Sequence, residues 1–368
     1  MGFRNIERIF TTNHTNSTNH TNTANLSFLK IKFVWFVVKI LLIPVLFCLF
    51  PFSCAQHDTS RFEFALGTVC VVTLFEQGRE SVYSDIFSRL REIENLMSVN
   101  IPSSDVSRVN AAAGIEPVRV HADVFTVIKR AKYFAELSGG AFNPAVGPLV
   151  SLWGITGDNP RVPSQNEIND TLPLVNARFI ELDSANKTVF LTQYGMALDL
   201  GAIAKGYAAD EAAAIAKRAG VKRAKIDLGG NIVIFGEKPD RTPWRVGIQN
   251  PGSNRGEIFG ILQITEKTIV TSGVYERYFE ENGKRYHHLF DPSSGYPADN
   301  GLVSVTIITD NSMDADALST AVFVLGYEAG SAFLEKYSGA EAVFVFEDSV
   351  RKTSGINFTL SDMSYRLY

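Results

Sequence analysis

Cysteine is scarce in this chain, and its scarcity excludes a disulfide-rich fold. The 368 residues include only Cys48, Cys54 and Cys70, whereas disulfide scaffolds carry several pairs in a short chain. Cys70 lies in an apolar, strand-like run and is most simply a core residue. The sequence therefore predicts neither a disulfide framework nor thiol chemistry.

A surplus of positive charge is also missing. The formal net charge is -4; of 35 basic and 39 acidic residues, residues 1–54 hold five and one, so residues 55–368 hold 30 and 38. Nucleic-acid binding needs clustered Lys and Arg that neutralise phosphates. The acidic body of the chain therefore argues against nucleic acid as a partner. With 45% hydrophobic and 20% charged residues, its composition is that of a globular protein.

The third absence is a long, uncharged apolar run. Residues 11–27 are almost wholly Asn, Thr, Ser and His, and cannot form a core. The apolar run at 40–52 is too short to cross a bilayer comfortably but suits the apolar region of a secretory signal. Export is the preferred prediction. A single membrane anchor is the alternative, because residues 33–38 lengthen the run around Lys39.

The end of this leader carries a candidate lipidation site. Ser53 and Ala55 flank Cys54, which resembles the processing site of bacterial lipoproteins, where the cysteine becomes the lipid-modified first residue. Signal cleavage at another position nearby is the alternative. We therefore expect residues 1–54 to be a low-complexity leader with a signal or lipoprotein segment. The mature protein would be exported, periplasmic and lipid-anchored to the membrane at Cys54, with its globular part at 60–368.

Hydrophobic periodicity predicts helices and strands in the globular part. Helical spacing indicates helices at about 81–98, 122–137 and 203–218, and Ser312 is expected to cap a helix that Gly326 ends. Alternation predicts one strand over 62–75 and further strands along the second half of the chain. Because the elements follow no regular β-α-β rhythm, the prediction is an α+β protein, one compact unit with two lobes.

A Gly- and Pro-rich segment at 139–149 is the first of four candidate functional segments. Glycine pairs let a ligand approach the backbone closely. Taken alone, the segment is more simply a helix end followed by an irregular crossover.

A second segment, 199–206, opens the alanine-rich helix. Exposed N–H groups at a helix start suit a phosphate or pyrophosphate, and Lys205 adds a cation. Equally, Asp199 could cap the helix while Lys205 is solvated.

The third candidate contains adjacent histidines. If 285–290 is a strand, His287 and His288 point to opposite faces, so a paired metal site is not expected. One imidazole near a hydroxyl could act as a general base. The alternative is a buried, hydrogen-bonded histidine.

The fourth candidate is the pair Asp316 and Thr320. Four residues apart on a predicted helix, they share one face. A carboxylate and a hydroxyl form an all-oxygen half-site suited to Mg²⁺. Stabilisation of the helix start is the alternative for Asp316.

In this order and spacing, the four segments resemble the ApbE family, flavin transferases that use FAD to attach FMN to a protein threonine or serine. The resemblance runs from about Phe64 to Phe346. It is carried by "ALGT", "MSVNIPSSDVSRVN", "GGAFNPAVGPLVSLWG", "ALDLGAIAKGYAAD", "DLGGNI", "TSGVYERYF", "HHLFDPSSGYP" and "DADALSTAVFVLG". It implies an ApbE-like, T-fold-like architecture.

The resemblance also implies roles for individual residues. Asp316, Thr320 and the backbone carbonyl of Ala202 would hold Mg²⁺, provided that Ala202 precedes the first regular helical turn. Ser319 stands where some relatives have a further aspartate. His288 would activate the acceptor, with Asp316 and Lys205 also placed in the catalytic group. The positions matching the FAD site are Leu66, Ala141, Phe142, Asn143, Asp199, Lys205 and Leu289.

Asn100 is the most informative departure from the family pattern. Family members commonly have a tyrosine there that lies against adenine; members with Asn include FAD pyrophosphatases. We therefore expect cleavage of FAD with release of AMP, transfer of FMN to an exported redox subunit of the Rnf or Nqr type, and hydrolysis of FAD to FMN alongside. The alternative is a flavin-binding lipoprotein without chemistry.

Overall fold

The computed structural model describes residues 59–76, 79–238, 240–253, 256–337 and 339–368. The predicted leader, with Cys48 and Cys54, lies outside these residues. Seven α-helices are described: α1 Glu80–Met97, α2 Asp105–Ala111, α3 Ala122–Leu137, α4 Gly147–Trp153, α5 Gln165–Thr171, α6 Ala204–Arg218 and α7 Ser312–Lys336. The described strands are β1 Ser60–Ala65, β2 Thr68–Leu74, β3 Val118–Arg119, β4 Ile180–Asp183, β5 Thr188–Leu191, β6 Ala224–Leu228, β7 Asn231–Phe235, β8 Trp244–Gln249, β9 Ile258–Ile264, β10 Lys267–Gly273, β11 Tyr278–Glu281, β12 Lys284–His287, β13 Ser304–Thr309, β14 Glu341–Val345, β15 Ser349–Lys352, β16 Asn357–Leu360 and β17 Arg366–Leu367.

A nine-stranded sheet with the order β1-β2-β6-β7-β10-β13-β14-β15-β17 forms the middle layer. One face packs against helices α1, α3, α6 and α7 in the main hydrophobic core. Part of the other face packs against the three-stranded sheet β16-β9-β8 in a second core. Because β13 is covered on both faces, all six of its residues are buried. The predicted α+β class is confirmed.

Predicted helices at 81–98, 122–137 and 203–218 are present as α1, α3 and α6, within one residue of their expected ends. The single strand expected over 62–75 was wrong. The chain turns at Leu66 and Gly67, which have φ of 55° and 68°, and β1 pairs with β2 in a hairpin that joins Ala65 to Thr68. A two-residue turn with positive φ matches the twist of the strands. Leucine gives no sequence signal for such a turn.

Helices α6 and α7 approach each other at a glycine. A Cβ atom on Gly206 would lie 2.1 Å from the carbonyl oxygen of Ser312, so only glycine fits there. Asp210, one turn further along α6, accepts hydrogen bonds from the backbone N–H groups of Ser312 and Met313, both at 2.9 Å. The start of α7 is thereby fixed against the start of α6.

The predicted cap of α7 was wrong by one residue. Asn311 is the N-cap, and its side-chain oxygen accepts the N–H of Asp314 at 2.9 Å. Gly326 has φ of 78° and interrupts the helix, as expected. Among the described helices, α7 alone is long and apolar enough to cross a membrane, but most of its most apolar stretch is buried inside the protein. It is a helix of the protein core.

Candidate active site

A cavity of about 330 Å³ is lined by residues near the first turns of α6 and α7, by the turn between β1 and β2, and by the residues that follow β12. Ten of the predicted site residues line it: Ala141, Phe142, Asn143, Asp199, Ala202, Lys205, His288, Leu289, Asp316 and Thr320. The volume is within the range of small-molecule sites, roughly 300–1,000 Å³. All four candidate segments therefore contribute to one cavity.

Three oxygen atoms where α6 meets α7 are not fully used by hydrogen bonds within the protein and could bind a cation. Asp316 is 4% exposed, and its Oδ2 accepts the N–H of Gly206 at 2.9 Å. Because that N–H is used by Asp316, the carbonyl of Ala202 accepts no backbone hydrogen bond from the described residues. Ala202 precedes α6, which begins at Ala204, so the condition set by the sequence is met. Thr320 lies one turn beyond Asp316 in the same wall.

This donor set fits a hard cation. One carboxylate, one hydroxyl and one carbonyl are ligands of the type that Mg²⁺ takes together with water and phosphate oxygens. In the described part of the chain, no three His, Cys, Asp or Glu side chains group into a metal site, so a zinc-type centre is not indicated there. Ser319 is committed elsewhere, because its hydroxyl bonds the Asp316 carbonyl and the Ser272 hydroxyl, both at 2.8 Å.

His288 presents one ring nitrogen to the cavity. Its Nδ1 lies 3.1 Å from the carbonyl oxygen of Arg277, to which it donates, and this bond leaves Nε2 as the acceptor. Burial and the nearby Arg277 guanidinium lower the pKa of His288 to about 3. The ligand-free imidazole is therefore neutral with Nε2 unprotonated, the state in which a general base begins its reaction, although a pKa this low makes it a weak base.

His287 has a structural role. Its Nε2 donates to the carbonyl of Ala298 at 3.1 Å, and its Nδ1 accepts the N–H of Leu289 at 3.3 Å. Burial lowers the pKa of His287 to about 4. It lines a different cavity from His288, so the two rings do not share one site. The strand expected at 285–290 is shorter, because β12 ends at His287.

Two cations border the cavity. The ammonium group of Lys205 lies 2.9 Å from the carbonyl oxygen of Gly201, and its charge contributes to the lowered pKa of His288. Arg277 lines the same cavity near the β1–β2 turn. In the described residues neither side chain forms an ion pair, so both are available to an anion. Sequence reasoning missed Arg277, although it lies within the quoted segment "TSGVYERYF".

Hydrogen bonds within the Gly- and Pro-rich segment and to neighbouring residues fix its position. The amide of Asn143 donates to the Val175 carbonyl at 3.1 Å and accepts the N–H of Ala145 at 3.0 Å. Asp199 accepts the N–H of Gly201 at 2.7 Å, and its own N–H donates to the Pro144 carbonyl at 2.9 Å. These contacts join the first two candidate segments into one wall.

Two predicted residues lie outside the cavity lining. Leu66 forms the β1–β2 turn and packs on the main core, while its neighbours Gly67 and Thr68 line the cavity. Asn100 is exposed in the turn after α1, and its N–H donates to the Ser98 hydroxyl at 3.2 Å. Their predicted contacts with FAD remain predictions. Asn231, which sequence reasoning did not select, does line the cavity.

Comparison with known proteins identifies the family. The ApbE family model matches residues 66–344. The chain belongs to the ApbE family. An FAD:protein FMN transferase of Treponema pallidum (strain Nichols) is 39% identical over 318 residues, or 82% of this chain and 88% of the relative. Another, of Klebsiella pneumoniae (strain 342), is 41% identical over 280 residues, or 76% and 86%.

Solved structures agree with the sequence relatives. The ApbE protein of Thermotoga maritima is 36% identical and has a TM-score of 0.74, covering 80% of this chain and 96% of that one. The flavin transferase ApbE of Vibrio cholerae is 28% identical with a TM-score of 0.71, covering 83% and 97%. The resemblance seen in the sequence and the ApbE-like fold that it implied are both confirmed.

Proposed function

We propose that this chain is an FAD:protein FMN transferase that requires Mg²⁺. The observation that carries the proposal is the meeting of three free oxygen donors, Ala202, Asp316 and Thr320, with the neutral imidazole of His288 in one cavity. Its relatives, named as transferases of this kind, support the same reaction. The proposal includes a threonine or serine acceptor, AMP as the leaving group and Mg²⁺ as the metal.

In the proposed reaction, a threonine or serine hydroxyl of the target protein attacks the phosphorus of the FMN half of FAD. His288 takes the hydroxyl proton at Nε2 while its Nδ1 stays bonded to the Arg277 carbonyl. The bond between this phosphorus and the bridging oxygen breaks, and AMP leaves with that oxygen. Lys205 and Arg277 hold the phosphate charge in place. Mg²⁺, bound by Ala202, Asp316 and Thr320, would supply charge neutralisation at the diphosphate.

Hydrolysis of FAD to FMN and AMP is the second candidate activity. Asn100 supports it, because ApbE family members with Asn at this position include FAD pyrophosphatases. An exposed amide there also offers no aromatic ring on which adenine could stack. Loss of such a stack weakens adenine binding by about 1 kcal/mol. In this hydrolysis, water attacks the phosphorus in place of the protein hydroxyl.

One assay distinguishes these activities from each other and from a flavin-binding lipoprotein without chemistry. The protein is incubated with FAD and Mg²⁺, with and without a threonine-containing acceptor peptide, and AMP and peptide mass are measured. We expect AMP in both cases and a flavinylated peptide in the second. If no AMP forms in either case, the flavin-binding lipoprotein without chemistry is the remaining hypothesis. Asn100→Tyr should slow hydrolysis; an unchanged rate would contradict the adenine argument.

We also propose that the protein is exported, periplasmic and anchored by a lipid at Cys54, where it modifies an exported redox subunit of the Rnf or Nqr type. The apolar run at 40–52 and the Ser53-Cys54-Ala55 sequence support this location. Cys54→Ser should abolish labelling with a fatty-acid probe and release the protein from membranes. Membrane association that is unchanged in this variant would favour a membrane anchor instead.

A further inference from the structure

Asn231 places an unpaired hydrogen-bond donor in the wall of the cavity. It is the first residue of β7, directly after the Gly229-Gly230 turn, and is 2% exposed. Its Nδ2 is buried and has no partner among the described residues. A buried amide N–H without a partner costs free energy, because water solvates it in the unfolded chain.

Comparison with other polar groups makes this donor unusual. Asn143, in the same cavity, has both ends of its amide bonded to backbone. In the described part of the chain, four other buried side-chain atoms also lack partners, and none of their residues lines the cavity: Glu76 Oε2, Arg223 Nε, Ser304 Oγ and Ser312 Oγ. Of these five atoms in the described residues, only Asn231 Nδ2 lies where a ligand in the cavity could supply its missing partner.

The strand direction shows which part of the cavity Asn231 faces. Side chains alternate along β7, so Asn231 is on the same sheet face as Val233 and Phe235, which pack in the helix-side core. On the neighbouring strand β10, Ser272 is on this face too, since its hydroxyl bonds Ser319 of α7 at 2.8 Å. This is the face that α7 covers with Asp316 and Thr320. The amide of Asn231 is therefore on the metal-binding side of the cavity.

We propose that Asn231 donates a hydrogen bond from Nδ2 to a diphosphate oxygen of bound FAD. The inference rests on the proposed function, because it needs a dinucleotide in this cavity. An anionic oxygen is a stronger acceptor than a neutral carbonyl, and an uncharged donor adds affinity without opposing the cation held beside it. The donor is unpaired in the ligand-free protein because its partner belongs to the ligand.

Two substitutions of similar size test the donor. Asn231→Leu removes the polar group, and Asn231→Asp replaces the donor with an oxygen. Ser312→Ala is the matched control, since it removes another buried, unpartnered polar atom outside the cavity. Binding of FAD, FMN and riboflavin is measured in EDTA by flavin fluorescence, together with the melting temperature of each ligand-free protein.

We expect Asn231→Leu to weaken FAD binding by about 10- to 100-fold, the effect of losing a hydrogen bond to a charged group. Asn231→Asp should weaken it at least as much through repulsion. FMN should follow FAD, while riboflavin, which has no phosphate, should bind parent and variants alike. The ligand-free Asn231→Leu protein should melt no lower than the parent, because it buries no unpaired donor. Ser312→Ala should bind FAD like the parent.

The opposite results would overturn the inference in recognisable ways. Equal affinity of Asn231→Leu and parent for FAD would exclude the donor. A lower melting temperature with parental affinity would make Asn231 structural, and weaker riboflavin binding would assign it to a flavin carbonyl. A parent protein that binds no FAD would overturn the proposed function itself.

Discussion

Two aspartates at the start of α7 have opposite surroundings. Both oxygens of Asp314 are bonded, at 2.7 and 2.5 Å to Arg130 and at 2.5 Å to the Tyr337 hydroxyl. The side-chain carboxylate of Asp316, two residues later and similarly buried, bonds only the N–H of Gly206 among the described residues. Asp314 uses its acceptors within the protein, whereas Asp316 keeps acceptors that a ligand could use.

The adjacent histidines repeat this difference. Both ring nitrogens of His287 are bonded to backbone groups, while His288 has one bonded nitrogen and one that is free to act in the cavity. In each pair the two residues lie within two positions of each other in sequence and differ in how many of their polar atoms are bonded within the protein. We therefore expect hydrogen-bond saturation to separate structural from functional groups better than residue type does.

The largest effect is expected at Asp316. Asp316→Asn keeps an oxygen for the Gly206 N–H but removes the charge, and should lower Mg²⁺-dependent release of AMP from FAD by about 10⁴-fold, the scale of several kcal/mol of charge stabilisation. Its melting temperature should stay close to that of the parent. Rapid AMP release by this variant would exclude Asp316 as a metal ligand.

Substitution of His288 should have the next largest effect. His288→Gln removes the general base and should lower transfer of FMN by about 10³-fold, within the usual range for acid–base catalysis. Because Gln donates well to a carbonyl, His287→Gln should keep the bond to Ala298 and retain most of the activity. Single-turnover rates of both variants test this. Similar losses in the two would contradict the assignment of separate roles.

Asp314 should affect stability and not chemistry. Asp314→Ala leaves the partly exposed Arg130 guanidinium without its partner and should lower the free energy of unfolding by about 2 kcal/mol, less than for a fully buried pair. AMP release per folded molecule should change little. Urea unfolding, monitored by circular dichroism, measures the free energy of unfolding. A variant that is stable and inactive would reverse the roles of the two aspartates.

His287 should make stability depend on pH. Its folded pKa of about 4 lies below the ordinary value of 6.5, so the unfolded chain binds a proton first as the pH falls. The stabilisation is full above pH 6.5 and is lost progressively towards pH 4, by up to about 3 kcal/mol for a shift of this size. His287→Gln should reduce this pH dependence; the same slope in parent and variant would exclude His287 as its source.

Local patterns were sufficient to predict the four longest helices, α1, α3, α6 and α7, and the Asp316–Thr320 pair, because residues four apart on a helix share one face whatever surrounds them. The short helices α2, α4 and α5 were not predicted. Local patterns could not predict the β1–β2 turn, since Leu66 gives no turn signal and its positive φ is imposed by the hairpin. Nor could they separate Asn311 from Ser312 as the cap of α7, because both are good N-cap residues. The resemblance to the ApbE family led to Ala202, whose carbonyl is free only because Gly206 donates to a distant residue.

The smallest effect is expected at Ser319 and Thr320, which are adjacent residues one helical turn after Asp316. The Ser319 hydroxyl is fully buried and bonded twice, whereas Thr320 forms no side-chain hydrogen bond with the described residues and lines the cavity. Ser319→Ala should lower the free energy of unfolding by about 1 kcal/mol and leave the Mg²⁺ requirement unchanged. Thr320→Val keeps the shape and should raise the Mg²⁺ concentration for half-maximal AMP release by roughly tenfold with little change in stability. Magnesium titrations and melting curves of both variants decide this. A shifted Mg²⁺ requirement in Ser319→Ala would mean that a bonded hydroxyl can still serve the metal, and saturation would then fail as a guide to function.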